Sequence, residues 1–347
     1  MPSDLLTDDW LLRKYSALCG IPEPVAAGIL RRKNELPLET AGALHARDER
    51  FAGCLSADLQ CVYACLLILE DVPLTIAEHR KRGFPWKITQ ETLSDIGIWC
   101  DDLFKRAKRY GILPSQIRWL NHQKNMEIVR IGRFQYLTHP RFGGRIKVLR
   151  RKNRAGYRIL AEDGLGMNRD GQRTDENAAF HTVYREDARS FSGNPVENGY
   201  VLPDALALSR KEWDKVLEYG DPMLSVHIPA DGPMTPEVSL RSLREAADFF
   251  RIYYPNLPWK GFWCHSWLLD PFLRKLLPPS SNILRFQELG MLYPVSGKSE
   301  ILSRLTPAEN GGRTRFHQAV EAAAAGGHVF HNGGWILFRE QLDALHI

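Results

Sequence analysis

The chain has 347 residues, of which 44% are hydrophobic and 25% are charged, and its formal net charge is +5. These values are typical of a globular protein that is long enough for two domains. The mild charge does not by itself indicate nucleic-acid binding, and six cysteines are too few for a disulfide scaffold. Because no apolar run predicts a membrane span and the acidic N-terminus lacks a signal-peptide pattern, we expect a cytoplasmic protein.

Residues 1–125 are predicted to form a helical N-terminal domain. Apolar residues recur there at spacings of three and four, which is typical of amphipathic helices. Ser56 is a candidate N-cap for a long apolar helix, and Thr89 is a candidate N-cap for a later one. The predicted helices cover residues 5–18, 25–32, 57–70, 89–107 and 114–122.

From residue 126 onward, hydrophobic alternation replaces the helical pattern and predicts a second domain over residues 126–347. Strands are expected at 127–137, 145–150 and 157–160, with Gly143 and Gly144 turning the chain. Residues 161–200 are polar and predict a long loop with one strand near 180–184. A helix is expected at 208–217, followed near the C-terminus by a helix from Pro307 or later through Ala325. A hairpin over 328–338 would then turn at Asn332-Gly333.

The second domain is organised around residues 221–294, which predict a strand, a helix and further strands. Residues 223–228 alternate as a strand, and Thr235 then precedes Pro236 as the N-cap of an amphipathic helix. Strands are expected at 259–265 and 282–288, with a short helix between them. A strand–helix–strand unit of this length predicts a right-handed parallel crossover. Ligands in such sheets bind beyond the carboxyl ends of the strands, which here carry His227, His265, Ser266, Gln287 and Glu288.

Three segments in this stretch carry a resemblance to a known family: VHIPA at 226–230, CHSWLLDP at 264–271 and SNILRFQ at 281–287. They resemble a bacterial family of two-domain acyltransferases with a helical N-terminal domain and a GNAT-like C-terminal domain. The resemblance implies an α/β (α+β) fold with a mixed sheet flanked by helices. It also implies an enzyme that transfers groups other than aminoacyl from acetyl-CoA or another acyl-CoA to a small-molecule or peptide amine. Neither a metal nor a membrane is implied.

The resemblance places the cofactor's pyrophosphate at the turn between the first strand and the helix, where backbone N–H groups bind anions. This chain departs from the superfamily pattern, because the Gln/Arg-x-x-Gly-x-Gly/Ala loop is absent. Pro229, Pro233 and Pro236 donate no hydrogen bond, and Asp231 would repel a phosphate. A tight turn without a ligand is therefore the competing interpretation. The cofactor-binding candidates are Ile228, Ala230, Gly232, Met234, Thr235 and Asn282.

Acyl transfer to an amine needs a base for the amine and an acid for the leaving thiolate. The candidate bases are His227, His265 and Glu288, and Ser266 is expected to line the thioester site. Tyr254 and Tyr293 are candidate acids. Cys264 and His265 point to opposite faces of a strand, so they cannot form a nucleophile–base pair, and Cys264 is expected to be a core residue.

Two further functions remain open. The first is a catalytically degenerate GNAT-fold binding or interaction protein, which the missing pyrophosphate loop favours. The second is nucleic-acid binding through the basic run 141–158, which contains eight Arg or Lys residues and no acid. The competing interpretation of that run is a solvated hairpin face. Cys61 and Cys65 are one helical turn apart, but Cys54 does not complete the spacing of a metal site and the helix is apolar, so core packing is expected. His328 and His331 are expected to face opposite sides of a strand segment and so not to bind one metal together.

Overall fold

The computed structural model describes residues 5–305 and 314–345. Helices alone occupy the chain up to Lys124, and the first strand begins at Ile128. This change of structure agrees with the helical N-terminal region and the mixed α/β region expected from the sequence. The boundary between two domains at residue 125 stays a prediction. Pro307, the earliest predicted start of the last long helix, lies outside the described residues.

The N-terminal region is a bundle around one apolar helix, whose residues from Cys61 to Leu69 are all buried. The long helix that begins at Trp86 starts three residues before the predicted cap, with Pro85 at the N-cap position. Thr89 is instead buried inside this helix and contacts His79. The helices are α1 (Asp9–Leu18), α2 (Glu23–Lys33), α3 (Thr40–His45), α4 (Ala57–Leu69), α5 (Val72–Lys81), α6 (Trp86–Ala107) and α7 (Ile117–Lys124).

The segment Ala57–Lys81 is apolar and long enough to cross a membrane by composition alone, which the sequence analysis did not anticipate. In the fold this segment is divided into α4 and α5, and 67% of its most apolar window is buried inside the protein. Its hydrophobicity is therefore explained by packing in the helical core.

A six-stranded mixed sheet forms the centre of the second region, with strand order β1-β2-β13-β14-β16-β15. The expected strand at 127–137 is a hairpin instead, because Gly132 adopts a positive φ of 61° and reverses the chain. The strands of this sheet are β1 (Ile128–Ile131), β2 (Phe134–Leu137), β13 (Leu224–His227), β14 (Gly261–Ser266), β15 (Met291–Lys298) and β16 (His331–Phe338).

Smaller sheets occupy much of the stretch that the sequence predicted as a loop and a helix. The predicted helix at 208–217 is wrong, since these residues pair in two strands against neighbouring hairpins. The strands expected at 145–150 and 157–160 are confirmed, and the structure has them at Ile146–Arg151 and Tyr157–Ala161. These sheets contain β3 (Ile146–Arg151), β4 (Tyr157–Ala161), β5 (Gly166–Met167), β6 (Phe180–His181), β7 (Tyr184–Glu186), β8 (Ser190–Gly193), β9 (Pro195–Glu197), β10 (Tyr200–Val201), β11 (Leu206–Ser209) and β12 (Trp213–Leu217).

The predicted strand–helix–strand unit is present, and β13 pairs in parallel with β14. The Thr235 side chain accepts a hydrogen bond from the N–H of Val238, which confirms the predicted cap. Leu240, Leu243 and Phe250 are buried against the sheet. The remaining helices are α8 (Pro236–Tyr253), α9 (Asn282–Glu288), α10 (Ile301–Arg304), α11 (Arg315–Ala325) and α12 (Arg339–Ala344).

Two predictions for the C-terminal part are wrong. Residues 282–288 form α9 rather than a strand, because Ser281 caps them by accepting a hydrogen bond from the N–H of Ile283. Residues 331–338 form one strand rather than a hairpin. A Cβ atom on Gly333 would lie 1.9 Å from the Leu269 carbonyl oxygen, so this glycine permits close packing and does not form a turn.

Candidate active site

The parallel strands β13 and β14 separate at their carboxyl ends. They are paired at Leu224–Phe262 and Ser225–Trp263, after which each strand follows its other neighbour. On one side β13 stays paired with β2 as far as His227, and on the other β14 stays paired with β16 as far as Ser266. A gap between two strands leaves backbone groups along its edges available to a ligand.

A cavity of about 830 Å³ lies at this gap and extends to the helical region. The ends of β13 and β14 form one wall, and α6, the 3₁₀ turn Pro114–Gln116 and α7 form the opposite, helical wall. A cavity of this size matches the usual range of small-molecule sites. The side chains from the helical wall are Asp95, Ile98, Trp99, Asp102, Arg106, Ser115, Gln116 and Trp119.

His227 lies at the end of β13 and faces the helical wall. Its Nε2 atom is 3.3 Å from the Ser225 hydroxyl, and its ring centroid is 4.7 Å from that of Trp119. Burial, followed by the charge of nearby His122, lowers the pKa of His227 to about 4. The imidazole is therefore neutral at pH 7.

His265 lies across the gap at the end of β14, and its ring opens into the cavity. Its Nε2 atom is 2.8 Å from the Tyr293 hydroxyl, and the Tyr293 side chain is fully buried. Burial, followed by His227 and Arg173, lowers the pKa of His265 to about 4. Burial also raises the pKa of Tyr293 well above its usual value, so this phenol stays protonated.

Cys264 and Ser266 lie beside His265 in the sequence and also line the cavity. Cys264 is 1% exposed, and burial raises its pKa to about 12, so it remains a protonated thiol rather than a nucleophile. The Ser266 hydroxyl accepts a hydrogen bond from the N–H of Leu268 and caps a short 3₁₀ helix. Ser266 thus has a structural role as well as a place in the wall.

The remaining predicted site residues divide between the cavity and other parts of the fold. Ile228 and Ala230 line the cavity, whereas the other candidates are absent from its wall among the residues that the structure describes. Gly232 lies on the exposed turn that precedes α8, Met234 lies in the core, and Thr235 caps α8. The other three residues belong to α9: Asn282, Gln287 and Glu288. Tyr254 contacts Arg82 instead of the two histidines.

Sequence reasoning missed Asp95, which organises the helical wall. One carboxylate oxygen of Asp95 accepts hydrogen bonds from the indole N–H of Trp119 at 3.0 Å and of Trp99 at 3.3 Å. Burial raises the pKa of Asp95, although hydrogen bonds from Gln135, Trp119 and Trp99 oppose this shift. Asp95 thereby fixes two aromatic side chains of the cavity. Its position inside an amphipathic helix gave no signal of that role.

Sequence reasoning also missed Arg133, which follows Gly132 in the turn between β1 and β2. Its guanidinium donates hydrogen bonds to the carbonyls of Pro229 and Pro233, and it lines the cavity. Arg133 thus reaches the turn at which the resemblance had placed the pyrophosphate. A pairing of β2 with β13 brings the two together, and only the three-dimensional fold shows that pairing.

The basic run at 141–158 forms the β3–β4 hairpin, and acids from other elements pair with most of its charges. Arg145 and Lys147 contact Glu162, and Arg150 contacts Glu340. Further pairs join Arg151 to Glu212, Lys152 to Asp214 and Arg158 to Glu197. This pairing favours the solvated hairpin face over a nucleic-acid surface. In the described part of the chain, no group of three or more His, Cys, Asp or Glu side chains could hold a metal ion.

Comparison with known families matches both regions of the chain. Residues 23–126 match the N-acyltransferase N-terminal domain, and residues 128–336 match the GNAT-like C-terminal domain. The second match alone spans more than half of the chain.

Solved structures of similar fold include an acyltransferase in complex with decanoyl-CoA and teicoplanin. The TM-score is 0.60 at 18% sequence identity, and the match covers 94% of this chain and 87% of that protein. An acyltransferase mutant in complex with octanoyl-CoA gives a TM-score of 0.59 at 17% identity, with the same coverage of both chains. No curated protein sequence matches the chain.

Proposed function

The chain belongs to the family that joins an N-acyltransferase N-terminal domain to a GNAT-like C-terminal domain, and on that premise we propose an acyl-CoA-dependent N-acyltransferase. In this proposal an amine attacks the thioester directly, without a covalent enzyme intermediate. The observation that carries the proposal is the gap between β13 and β14, with His227 and His265 at its two edges.

The donor site is the gap itself. Backbone N–H and C=O groups beyond the last β13–β14 pair can form hydrogen bonds with an extended ligand, in the same way that a strand edge binds an added strand. An N–H group from such an edge can also stabilise the oxyanion that develops on the thioester carbonyl. Acyl-CoA is the ligand seen in similar folds, including the one that holds decanoyl-CoA. We therefore place an acyl-CoA in this gap.

His265 is our candidate base. Its lowered pKa keeps the imidazole neutral at pH 7, and its Nε2 atom is hydrogen-bonded to the Tyr293 hydroxyl. Within the described residues its Nδ1 atom has no hydrogen-bond partner, and in the tautomer in which Nε2–H donates to the Tyr293 oxygen this atom accepts the proton of the attacking amine. The C–N bond forms as the C–S bond breaks, and His265 then gives the same proton to the departing thiolate.

The acceptor site is the helical wall opposite the gap. Trp99 and Trp119 are half-buried there with their N–H groups bound by Asp95, so their apolar faces are left for a ligand. The acid–base pairs Asp102–Arg106 and Glu300–Arg304 also line the cavity. A similar fold binds the glycopeptide teicoplanin together with its acyl-CoA. We propose a small-molecule or peptide amine as the acceptor of this chain.

Acyl transfer is tested by thiol release from acyl-CoAs of several chain lengths in the presence of a panel of primary amines. We expect CoA release that requires the amine, with an acceptor whose mass rises by one acyl group. His265→Gln should abolish this release, whereas His139→Gln, an exposed histidine elsewhere, should not. Amine-dependent release that survives His265→Gln would exclude His265 as the base.

A catalytically degenerate binding protein is the second candidate, favoured by the absence of the superfamily glycine loop. That candidate predicts that acyl-CoA neither binds nor is consumed. Binding without any amine-dependent release would indicate a cofactor-binding protein that has lost the transfer step. Release with acylation of the amine would rule out the degenerate form.

A further inference from the structure

Arg133 is buried beside the turn that joins β13 to α8. The residue is 8% exposed, and two nitrogen atoms of its guanidinium donate hydrogen bonds to backbone carbonyls of the turn. Nε donates to the Pro233 carbonyl at 3.1 Å, and Nη2 donates to the Pro229 carbonyl at 2.9 Å. Its third nitrogen, Nη1, is buried without a hydrogen-bond partner in the described part of the chain. A buried charged donor of this kind is costly unless a further partner satisfies it.

The nearest acid, Asp231, does not satisfy Arg133. Its Oδ1 atom lies 3.8 Å from Nη1, beyond hydrogen-bond distance, and is itself buried without a partner among the described residues. Arg130 holds the other oxygen of Asp231 at 2.8 Å. The Asp231 side chain remains 40% exposed, so it can turn toward solvent. At the turn itself two arginines face one aspartate, while Glu91 binds the Gly132 N–H and Glu237 lies in the first turn of α8.

The backbone at this turn also offers hydrogen-bond donors. The N–H groups of Ala230, Asp231 and Gly232 donate to no protein acceptor within the residues that the structure describes. They precede the N-terminus of α8, an 18-residue helix whose dipole favours an anion there. Pro233 and Pro236 interrupt this series of donors. Arg133 therefore supplies the positive group that a proline-rich turn cannot.

We propose that Arg133 binds the diphosphate of acyl-CoA at this turn and that Asp231 is a resident counter-ion which the diphosphate displaces. The inference rests on the proposed function, since it assigns the charged part of the same donor. A phosphate oxygen would give Nη1 the acceptor that Asp231 fails to provide. The carboxylate of Asp231, still held by Arg130, would move toward solvent.

If the diphosphate displaces the Asp231 carboxylate from Arg133, removal of that carboxylate should strengthen acyl-CoA binding. An aspartate next to a phosphate normally weakens binding through repulsion, and a displaced counter-ion adds competition for Arg133. Asp231→Asn should therefore tighten acyl-CoA binding by about three- to tenfold. Arg133→Gln should weaken it by about ten- to a hundredfold, as expected for the loss of a charge-assisted hydrogen bond.

The experiment compares an acyl-CoA with the matching acyl-pantetheine, which has the same thioester and pantetheine arm but lacks the diphosphate. Affinities are measured by calorimetry for the full-length wild type, Arg133→Gln, Asp231→Asn and the exposed control Arg141→Gln. We expect changes for acyl-CoA in the two turn variants alone and unchanged binding of acyl-pantetheine in all four proteins. Asp231→Asn, on a partly exposed side chain, keeps the test valid if Arg133→Gln folds poorly.

The outcomes separate this inference from the proposed function. If the wild type binds both thioesters and neither turn variant alters acyl-CoA affinity, the assignment of Arg133 is wrong while the acyl-CoA site stands. An equal loss of both ligands in Arg133→Gln would also overturn it, because the residue would then only support the turn. If the wild type binds neither thioester, the proposed function and this inference fail together.

Discussion

The Tyr293 hydroxyl lies 2.8 Å from Nε2 of His265, although the two residues are on strands that do not pair with each other. β14 and β15 both pair with β16, which lies between them. The contact crosses β16 at Gly334, where a Cβ atom would lie 2.3 Å from the Tyr293 ring. A glycine in the middle strand thus permits the tyrosine to reach the histidine.

Removal of this hydroxyl tests whether Tyr293 orients His265. Tyr293→Phe keeps the buried ring and removes one hydrogen bond, which is worth about 1 kcal/mol. We expect kcat to fall about tenfold while KM for acyl-CoA stays unchanged, together with a displaced His265 signal in the NMR spectrum. Tyr219→Phe, at an exposed tyrosine, is the control. Unchanged kcat and an unmoved His265 signal would show that the contact has no catalytic role.

The glycine in the middle strand should resist even a methyl group. Gly334→Ala forces the Tyr293 ring to move, and overpacking of this kind costs about 1–3 kcal/mol. We expect a lower urea midpoint and reduced acyl transfer. Gly42 lies in α3, where an added methyl group would meet nothing within 4 Å, and gives the matched control. Gly42→Ala should leave stability equal or slightly higher, and equal effects of the two changes would contradict the packing argument.

His79 should make the protein less stable in mild acid. It is fully buried between Thr89 and Phe84, and burial lowers its pKa from 6.5 to about 4. Between these values the unfolded chain binds a proton that the folded protein does not, so stability is present above pH 6.5 and falls toward pH 4. The expected loss from this residue is about 2 kcal/mol between pH 7.5 and pH 5.

Urea unfolding at the two pH values measures that loss. His79→Asn can keep a hydrogen bond to Thr89 without a titratable ring, so its stability should depend less on pH than that of the wild type. The exposed His139→Asn should leave the pH dependence as it is. An identical pH dependence in His79→Asn and the wild type would refute the assignment.

Asp95 should stabilise the helical wall through its two indole partners. Asp95→Ala leaves the N–H groups of Trp99 and Trp119 without their acceptor, which we expect to cost about 2 kcal/mol. Asp95→Asn retains an amide oxygen as acceptor and should cost less. Asp101→Ala, in the same helix, removes only a surface pair with Lys105 and should change stability by less than about 0.5 kcal/mol. Thermal unfolding with tryptophan fluorescence distinguishes the three variants.

The sequence predicted the parts of the fold that depend on local chemistry. The Thr235 side chain can cap a helix and the Pro236 ring suits the first helical position, so these two residues predict a helix start. The structure has the cap at Thr235. The position of His227 and His265 at one edge of the sheet follows from hydrophobic alternation, which identifies the two strands, and from their parallel pairing, which brings both carboxyl ends to that edge. The cap depends on adjacent residues alone, and the placement of the two histidines needs only one parallel strand pairing in addition.

The errors occur where distant residues decide the local structure. Asn332-Gly333 has the composition of a turn, yet Gly333 and Gly334 serve close packing against Leu269 and Tyr293. Residues 282–288 are a short apolar run that suits strand or helix alike, and the Ser281 cap selects the helix. Asp95 and Arg133 were missed because their contacts, with Trp119 and with the 229–233 turn, span long sequence separations.

The gap between β13 and β14 is central to the proposed function, because it is where we place the acyl-CoA. Calorimetric titration of decanoyl-CoA into the wild type and into Ala230→Trp, which fills the cavity from an exposed position in its wall, tests this placement most directly. We predict saturable binding to the wild type, and loss of that binding in Ala230→Trp with its thermal midpoint preserved. Equal binding to both proteins, or no binding to the wild type at millimolar ligand, would contradict the placement.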